Sequence, residues 1–425
     1  MVAIPILEEL SGSASGRMIG HFADIESSDT PPALVEQLQS KRERRLSVYP
    51  ASAGFELVEE LDFLAARAIE PNIFFHPRFL APAMPRLEDR DVQLAVIRDD
   101  DERRSRLRLL VPFTIEKPSL PFSTAHLRTW SNMFGPLGTP LLDRDDPIGV
   151  LEDFFAMLAR PHLKLPNVFV MPEVRLDGPF ASMVRVLADS RNLPVETTNH
   201  VERAFLESDL GGDDYLRETL RSHHLREFRR LRRKLGEIGS LEYRVARHPD
   251  DIRLGVEAFL ALEAGGWKGR ARTAMAVDRF LAAFAREAAQ RLSEKDMCRV
   301  HSLSLDGTPI AILIVFIEHG VAYTWKTAYD EDYASFSPGT LLMLDVTRSH
   351  LEDPNITATD SCAVPHHPVM TRLWKERRTL GTLVIGLTPD AGRRTRQTAQ
   401  ELQRATQVRS FARDLRDKAK RALKR

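Results

Sequence analysis

The stretch from Cys298 to Arg348 limits the possible folds more than any other part of this chain. Arg299–Leu305 alternates, with Val300, Ser302 and Ser304 set against His301, Leu303 and Leu305, and Asp306-Gly307 then supplies a tight turn. Pro309–Ile317 is almost continuously apolar, the pattern of a strand covered on both faces. Glu318-His319-Gly320 turns the chain again, and Val321–Tyr329 returns with Tyr323, Trp325 and Lys326. Ser337-Pro338-Gly339-Thr340 then opens a helix carrying Leu341, Leu342, Leu344 and Val346. A three-strand meander that runs into a glycine at a helix start can build a cradle for a phosphorylated ligand. First-turn amides have no intrahelical partner, and the helix dipole favours an anion there. Gly339, without a Cβ, lets backbone approach a ligand closely. Pro-Gly is also an ordinary helix start, so the pattern by itself leaves both readings open.

With 425 residues the chain exceeds one ordinary core, and two domains are expected. Its 43% hydrophobic and 28% charged content is that of a globular protein. No window approaches the roughly 20 apolar residues of a membrane helix, and the N-terminus lacks the basic and apolar regions of a signal peptide. A cytoplasmic location is therefore expected. Two cysteines, Cys298 and Cys362, exclude a disulfide framework and are expected as free thiols. No metal is expected, because neither His223-His224 nor His366-His367 has the spacing of zinc ligands. Walker, dinucleotide and Gly-x-Ser-x-Gly motifs are absent from the sequence.

Four segments are expected: a mobile arm over 1–47 with a short helix near Ala33–Leu46, a globular half over 48–210, a second over 211–388, and a basic tail over 389–425. In the first half, helices are expected at Glu56–Arg67, Asp146–Leu158 and Phe180–Asp189, and a hairpin joins Val92–Arg98 to Arg106–Thr114. Strands are expected at Asn167–Met171, Val195–Thr198 and Arg203–Leu206. This helix–meander–helix–strand order returns after about residue 250, which suggests a structural duplication. The first half shows no counterpart of Ser337-Pro338-Gly339 at a strand-to-helix junction, and Phe134–Gly138 reads as a loop in the cleft between the halves.

Between them, Leu216, Leu220, His224, Phe228, Leu231 and Leu235 make one helical face over Asp213–Leu235. Arg217, Arg221, Arg229, Arg230, Arg232 and Arg233 occupy the other sides. No aromatic residues interleave with them, so a solvated structural face is favoured over nucleic-acid binding. Net charge is zero, yet Arg393–Arg425 holds twelve Arg/Lys against three Asp/Glu, with sparse apolar positions that fit a solvated terminal helix.

An ordered set of residues supports a family reading: Leu262-Glu263, Gly266-Trp267-Lys268-Gly269, the meander, Trp325–Asp330, Ser337-Pro338-Gly339, Asp360 and Trp374-Lys375. The set resembles the GNAT-superfamily acyltransferases of the CelD/BcsL type, associated with cellulose biosynthesis, and most strongly so over Tyr215–Leu387. That family is similar to the FemABX transferases, two GNAT-like domains in tandem. The resemblance implies an α/β (α+β) fold of tandem GNAT-like domains, each a mixed, mostly antiparallel sheet flanked by helices. It implies an N- or O-acyltransferase that uses acetyl-CoA on a polysaccharide, sugar-lipid or related small acceptor. The phosphate loop departs from the superfamily pattern, having one glycine, Gly339, and no Arg or Gln at the turn. A FemABX-like aminoacyl-tRNA-dependent transferase and a non-catalytic CoA-binding scaffold are the rival readings.

Acyl transfer needs a held donor, a route for the acceptor's proton and stabilisation of the oxyanion. On this resemblance, Trp325, Lys326, Tyr329, Ser337, Pro338, Gly339 and Thr340 hold the donor, and Trp267 and Lys268 the acceptor. Base candidates are Glu263 at a helix end before a Gly-Gly break, Asp330 after the third meander strand, Asp360, and His366 in a Pro-flanked loop. Each carboxylate is equally suited to capping a helix or pairing on the surface, the commoner fate of such groups.

Overall fold

The computed structural model describes residues 34–38, 43–87, 91–101, 104–117 and 123–422. In chain order these form β1 (Leu34–Leu38), β2 (Glu43–Pro50), α1 (Val58–Ala65), α2 (Pro77–Leu87), β3 (Gln93–Asp101), β4 (Arg104–Glu116), β5 (His126–Thr129) and β6 (Leu141–Leu142). Then come α3 (Pro147–Leu158), β7 (Val168–Arg175), α4 (Pro179–Arg191), β8 (Val195–Leu206), α5 (Gly212–Thr219), α6 (Ser222–Gly236) and β9 (Leu241–Ala246). The chain continues through α7 (Pro249–Gly265), α8 (Trp267–Arg270), α9 (Arg279–Ser293), β10 (Cys298–Leu305), β11 (Thr308–Glu318), β12 (Val321–Tyr329) and α10 (Pro338–Glu352). It ends with β13 (Ala358–Asp360), α11 (Met370–Leu373), β14 (Glu376–Gly386) and α12 (Gly392–Ala422).

One twisted, mixed sheet carries the order β1-β2-β3-β4-β5-β7-β14-β8-β13-β12-β11-β10-β9, with β6 pairing β4. Its meanders are antiparallel as their alternation requires: β10 pairs β11 from Cys298↔Phe316 to Leu305↔Thr308, and β11 pairs β12. Each half then repeats one device. A helix crosses over and delivers a strand parallel to the last meander strand: β7 beside β5 in the first half, β13 beside β12 in the second. The duplication expected from element order is therefore a repeated topology. The strands at Val195–Thr198 and Arg203–Leu206 are one continuous β8.

The two halves are woven together. β14, from the end of the chain, inserts between β7 and β8 and pairs antiparallel with both, for example Val384↔Val170 and Val384↔Glu196. A core cluster likewise crosses the junction. Phe79 on α2 meets Phe284 on α9 with ring centroids 5.2 Å apart, Phe316 at 5.9 Å and Trp325 at 6.1 Å, all near edge-to-face.

Three expectations are corrected. The helix near Ala33–Leu46 is replaced by β1 and β2: Leu46 and Val48 alternate into the core, and the ladder to β3 (Leu46↔Ile97) gives their backbone its partners. Residues 1–33, the rest of the expected arm, lie outside the described residues. The single helix over Asp213–Leu235 is two, because Leu220 is extended (φ −94°, ψ 134°). Leu216, Leu220, Phe228, Leu231 and Leu235 remain buried together, so the spacing marked a shared core rather than one straight axis. The first half also has a counterpart of Ser337-Pro338. Asp146 precedes Pro147 in the left-handed region (φ 54°, ψ 47°), nearly identical to Ser337 (φ 55°, ψ 51°). There the helix start carries a carboxylate held by Arg44, which also binds Asp99 and Asp153.

Buried Glu318 at the end of β11 has no hydrogen-bond partner for either carboxylate oxygen among the described residues. Burial, reinforced by nearby Asp62, pushes its pKa up to about 8. A raised carboxyl pKa favours the folded state while the group is protonated, and that stability is lost as pH rises through about 8. Glu318→Gln should therefore gain stability over the parent between pH 5 and pH 9, by roughly 4 kcal/mol. Urea denaturation at both pH values checks this, and parallel pH dependences would overturn it.

Candidate active site

β13 is short, and this opens the site. It pairs with β12 only from Val321↔Ala358 to Tyr323↔Asp360. From Thr324 to Tyr329 that edge of β12 has no strand beside it among the described residues. Thr324 Oγ donates to the Ser361 carbonyl at 2.7 Å and fixes the point of divergence. The β11–β12 register shifts between Ile314 and Val315, leaving Trp325 as the extra residue of a bulge.

Beyond the divergence the residues expected for donor binding separate into two groups. Tyr329, Ser337, Pro338, Gly339 and Thr340 gather at the start of α10. The Thr340 and Leu341 amides bond to the Ser337 carbonyl at 2.9 and 3.1 Å. Pro338 has no N–H, so the Gly339 amide is the first-turn donor without an acceptor among the described residues. A Cβ at Gly339 would meet only the Tyr329 ring, at an ordinary 3.5 Å. Trp325 and Lys326 lie elsewhere. Trp325 is buried among Phe79, Phe284 and Phe316, and its indole N–H donates to the Phe134 carbonyl at 2.8 Å. Its role in the fold is to pin the loop Phe134–Gly138 against β12. Gly138 is required in that loop, since a Cβ would stand 2.2 Å from the Pro172 carbonyl.

Lys326 reaches toward this loop, its ammonium 4.2 Å from the Phe134 ring centroid. Burial, with Lys268 adding like charge, lowers its pKa to about 8. Nearby, Lys268 Nζ donates to Glu263 Oε1 at 2.6 Å, and Glu263 Oε2 accepts from the Met275 amide at 2.8 Å. Trp267 is 56% exposed, and its amide donates to Glu331 at 2.5 Å.

The remaining base candidates are also engaged within the fold. Asp330 accepts from the Asp332 amide at 3.0 Å and caps the turn after β12. Asp360 Oδ1 accepts from the Cys362 amide at 2.7 Å, and its Oδ2 faces Arg203 at 3.4 Å. His366 is exposed on its loop and belongs to none of these groupings. Sequence reasoning missed Arg203, Glu173 and Ser131. Buried Arg203 donates to the Pro136 carbonyl at 3.1 and 3.2 Å and lies 3.9 Å from Glu173, which Ser131 bonds in turn. No local pattern places β8 opposite a strand 157 residues away. Among the described residues, no group of three His, Cys, Asp or Glu is arranged to hold a metal ion, and no helix is long and apolar enough to cross a membrane.

Arg203→Met strands buried Asp360 without its cation, and loss of one partner of a buried pair costs about 3–5 kcal/mol. Chemical denaturation should show that loss, with much of it recovered on adding Asp360→Asn. An unchanged midpoint in the single variant would contradict the pairing.

Residues 222–362 match the family model described as an acetyltransferase (GNAT) domain. The chain therefore carries a GNAT acetyltransferase domain, and its enzyme class is acyltransferase. No curated protein matches the chain in sequence. A crystal structure of FemX shares its fold, with 10% identity, 78% of this chain and 96% of that one covered, and a TM-score of 0.52. A conserved protein from Bacteroides thetaiotaomicron is similar at 12% identity, covering 77% and 96%, with a TM-score of 0.49. A tandem GNAT protein from the clavulanic acid biosynthesis pathway follows at 14% identity, covering 80% and 98%, with a TM-score of 0.38.

Proposed function

We propose that this chain transfers an acyl group, acetyl in the first instance, from CoA to the amine or hydroxyl of a small acceptor held in the cleft between its halves. The observation that carries the reading is the open edge of β12 beside the start of α10. CoA's pantetheine arm is a chain of amides able to hydrogen-bond along an unpaired strand edge. The free Gly339 amide and the helix dipole suit its pyrophosphate. A donor so placed carries its thioester along β12 toward Lys326, with Glu263 and Lys268 on the acceptor side. Glu263, Asp330, Asp360 and His366 remain the side chains proposed from sequence for proton transfer, and Trp267 for contact with the acceptor.

A polysaccharide, a sugar-lipid or a related saccharide is the acceptor class we propose, on the likeness to the CelD/BcsL type. The reading that uses aminoacyl-tRNA draws less support. On the basic segment, Arg217 pairs with Asp214, Arg230 with Glu227, Arg232 with Asp345 and Arg233 with Glu237. Only Arg232 is tied to another element; the other three are exposed pairs of little energetic worth, so the segment reads as a solvated face with no interleaved aromatic residues to stack on RNA bases.

Gly339→Asp tests the donor site. The new side chain has room, so the fold should persist, while a carboxylate would repel the pyrophosphate. Isothermal titration should show acetyl-CoA affinity falling by more than about tenfold, near 1.4 kcal/mol, with an unchanged unfolding midpoint. Equal affinity in parent and variant would mean that this turn only starts a helix.

A further inference from the structure

The acceptor's proton must go somewhere, and the carboxylates that sequence reasoning offers are committed. Glu263 has one oxygen on Lys268 and the other on the Met275 amide. Asp360 is shared by Arg203 and the Cys362 amide, and Asp330 caps its own turn. We infer that Lys326, as the neutral amine, is the general base that takes the acceptor's proton. The inference rests on the acyl-CoA reading of the same site.

Position supports it first. Lys326 follows the Trp325 bulge on the length of β12 left open where β13 ends. Its amine lies over the Phe134 ring, 5.8 Å from the Trp325 ring, and among the described residues no carboxylate pairs with it within hydrogen-bonding distance. Both Phe134 and Trp325 are fixed, the one by its carbonyl and the other by the indole N–H that binds it. The environment supports it second. Charged or titratable groups face Lys326 from three elements: Lys268 on α8, Glu263 on α7 and Cys362 after β13. Cys362 in turn faces Asp360, Arg203 and Glu173. Burial outweighs all of these, and Lys268 works in the same direction, so that a substantial fraction of Lys326 is neutral near pH 8. Burial beside a second cation is one of the ways a lysine amine becomes reactive near neutrality.

The step balances. The neutral Lys326 amine accepts the proton from the acceptor's N–H or O–H as that atom bonds to the thioester carbonyl carbon. The C–S bond then breaks, and the CoA thiolate takes a proton from the Lys326 ammonium. Acyl-CoA and acceptor become acylated acceptor and CoA thiol, and Lys326 returns to the amine.

Two measurements test the proposal. In protein carrying ¹³C-dimethylated lysines, the methyl resonance absent from Lys326→Arg should titrate near pH 8. Lys268→Met should move that titration upward, because it removes a like charge and frees Glu263 to favour the ammonium. A resonance titrating at the ordinary lysine value, or one unmoved by Lys268→Met, overturns the proposal. In single-turnover hydrolysis of acetyl-CoA, with water as acceptor, the wild-type rate should rise with pH through about 8. Lys326→Arg, which has the size and charge but no available lone pair, should lose on the order of 100-fold or more and the pH rise with it. Its acetyl-CoA affinity by titration should stay within about twofold, since a base that meets the acceptor adds little donor binding. Intact affinity with an unchanged rate overturns this proposal alone, whereas a wild-type protein that binds no acetyl-CoA overturns the donor reading and this proposal together.

Discussion

Much of the site depends on how Trp325 is packed. Its ring fills a space bounded by Phe79 from the first half and by Phe284 and Phe316 from the second, and its N–H holds the Phe134 carbonyl. An aromatic ring this deeply buried contributes both area and a fixed orientation. The bulge at Trp325 sets the local course of β12 and the direction of Lys326. Pinning Phe134 sets a ring from the other half beside the Lys326 amine. On the role proposed for Lys326, the course of the strand that carries the amine and the ring beside it both follow from the packing of one side chain.

The repeated topology lets the two halves be compared at the same point of the chain. Both halves start the helix after their meander with a left-handed residue followed by proline, Asp146-Pro147 and Ser337-Pro338. The same left-handed entry carries different electrostatics in the two halves. Asp146 fills its helix start with a carboxylate neutralised by Arg44, whereas Ser337 and Gly339 leave theirs without charge. A phosphate would meet repulsion at the first and an unpartnered amide at the second. The first half puts its ordered loop, Phe134–Gly138, into the cleft instead.

Local patterning was legible where local rules decide the outcome. Alternation and the Asp306-Gly307 and Glu318–Gly320 turns identify β10, β11 and β12, and Pro338-Gly339 marks the start of α10. The segment before β2 misled because short mixed-polarity runs carry either period, and only the ladder to β3 decides between them. Leu220 misled for the opposite reason: its apolar spacing was correct, yet an extended residue turns the chain without spoiling which side chains share a core. The insertion of β14 between β7 and β8, and the approach of Arg203 to Asp360, depend on pairings across more than 150 residues that no window can contain.

Lys326 shows why a role is harder to read than an element. In sequence it is a lysine after a tryptophan, equally suited to lying along the ring with its ammonium in water. Its surroundings come from both halves: the Phe134 ring from the first, and from the second Lys268, whose like charge works with burial to lower the pKa of the amine. Two contacts here cross the junction between the halves, Trp325 to Phe134 and Arg203 to Asp360, while Arg203 also holds the Pro136 carbonyl within the first half. On the role proposed for Lys326, the weave of β14 and the aromatic cluster about Phe79 would bear on the chemistry as well as on stability, because they hold together the halves that supply Phe134 and Lys326.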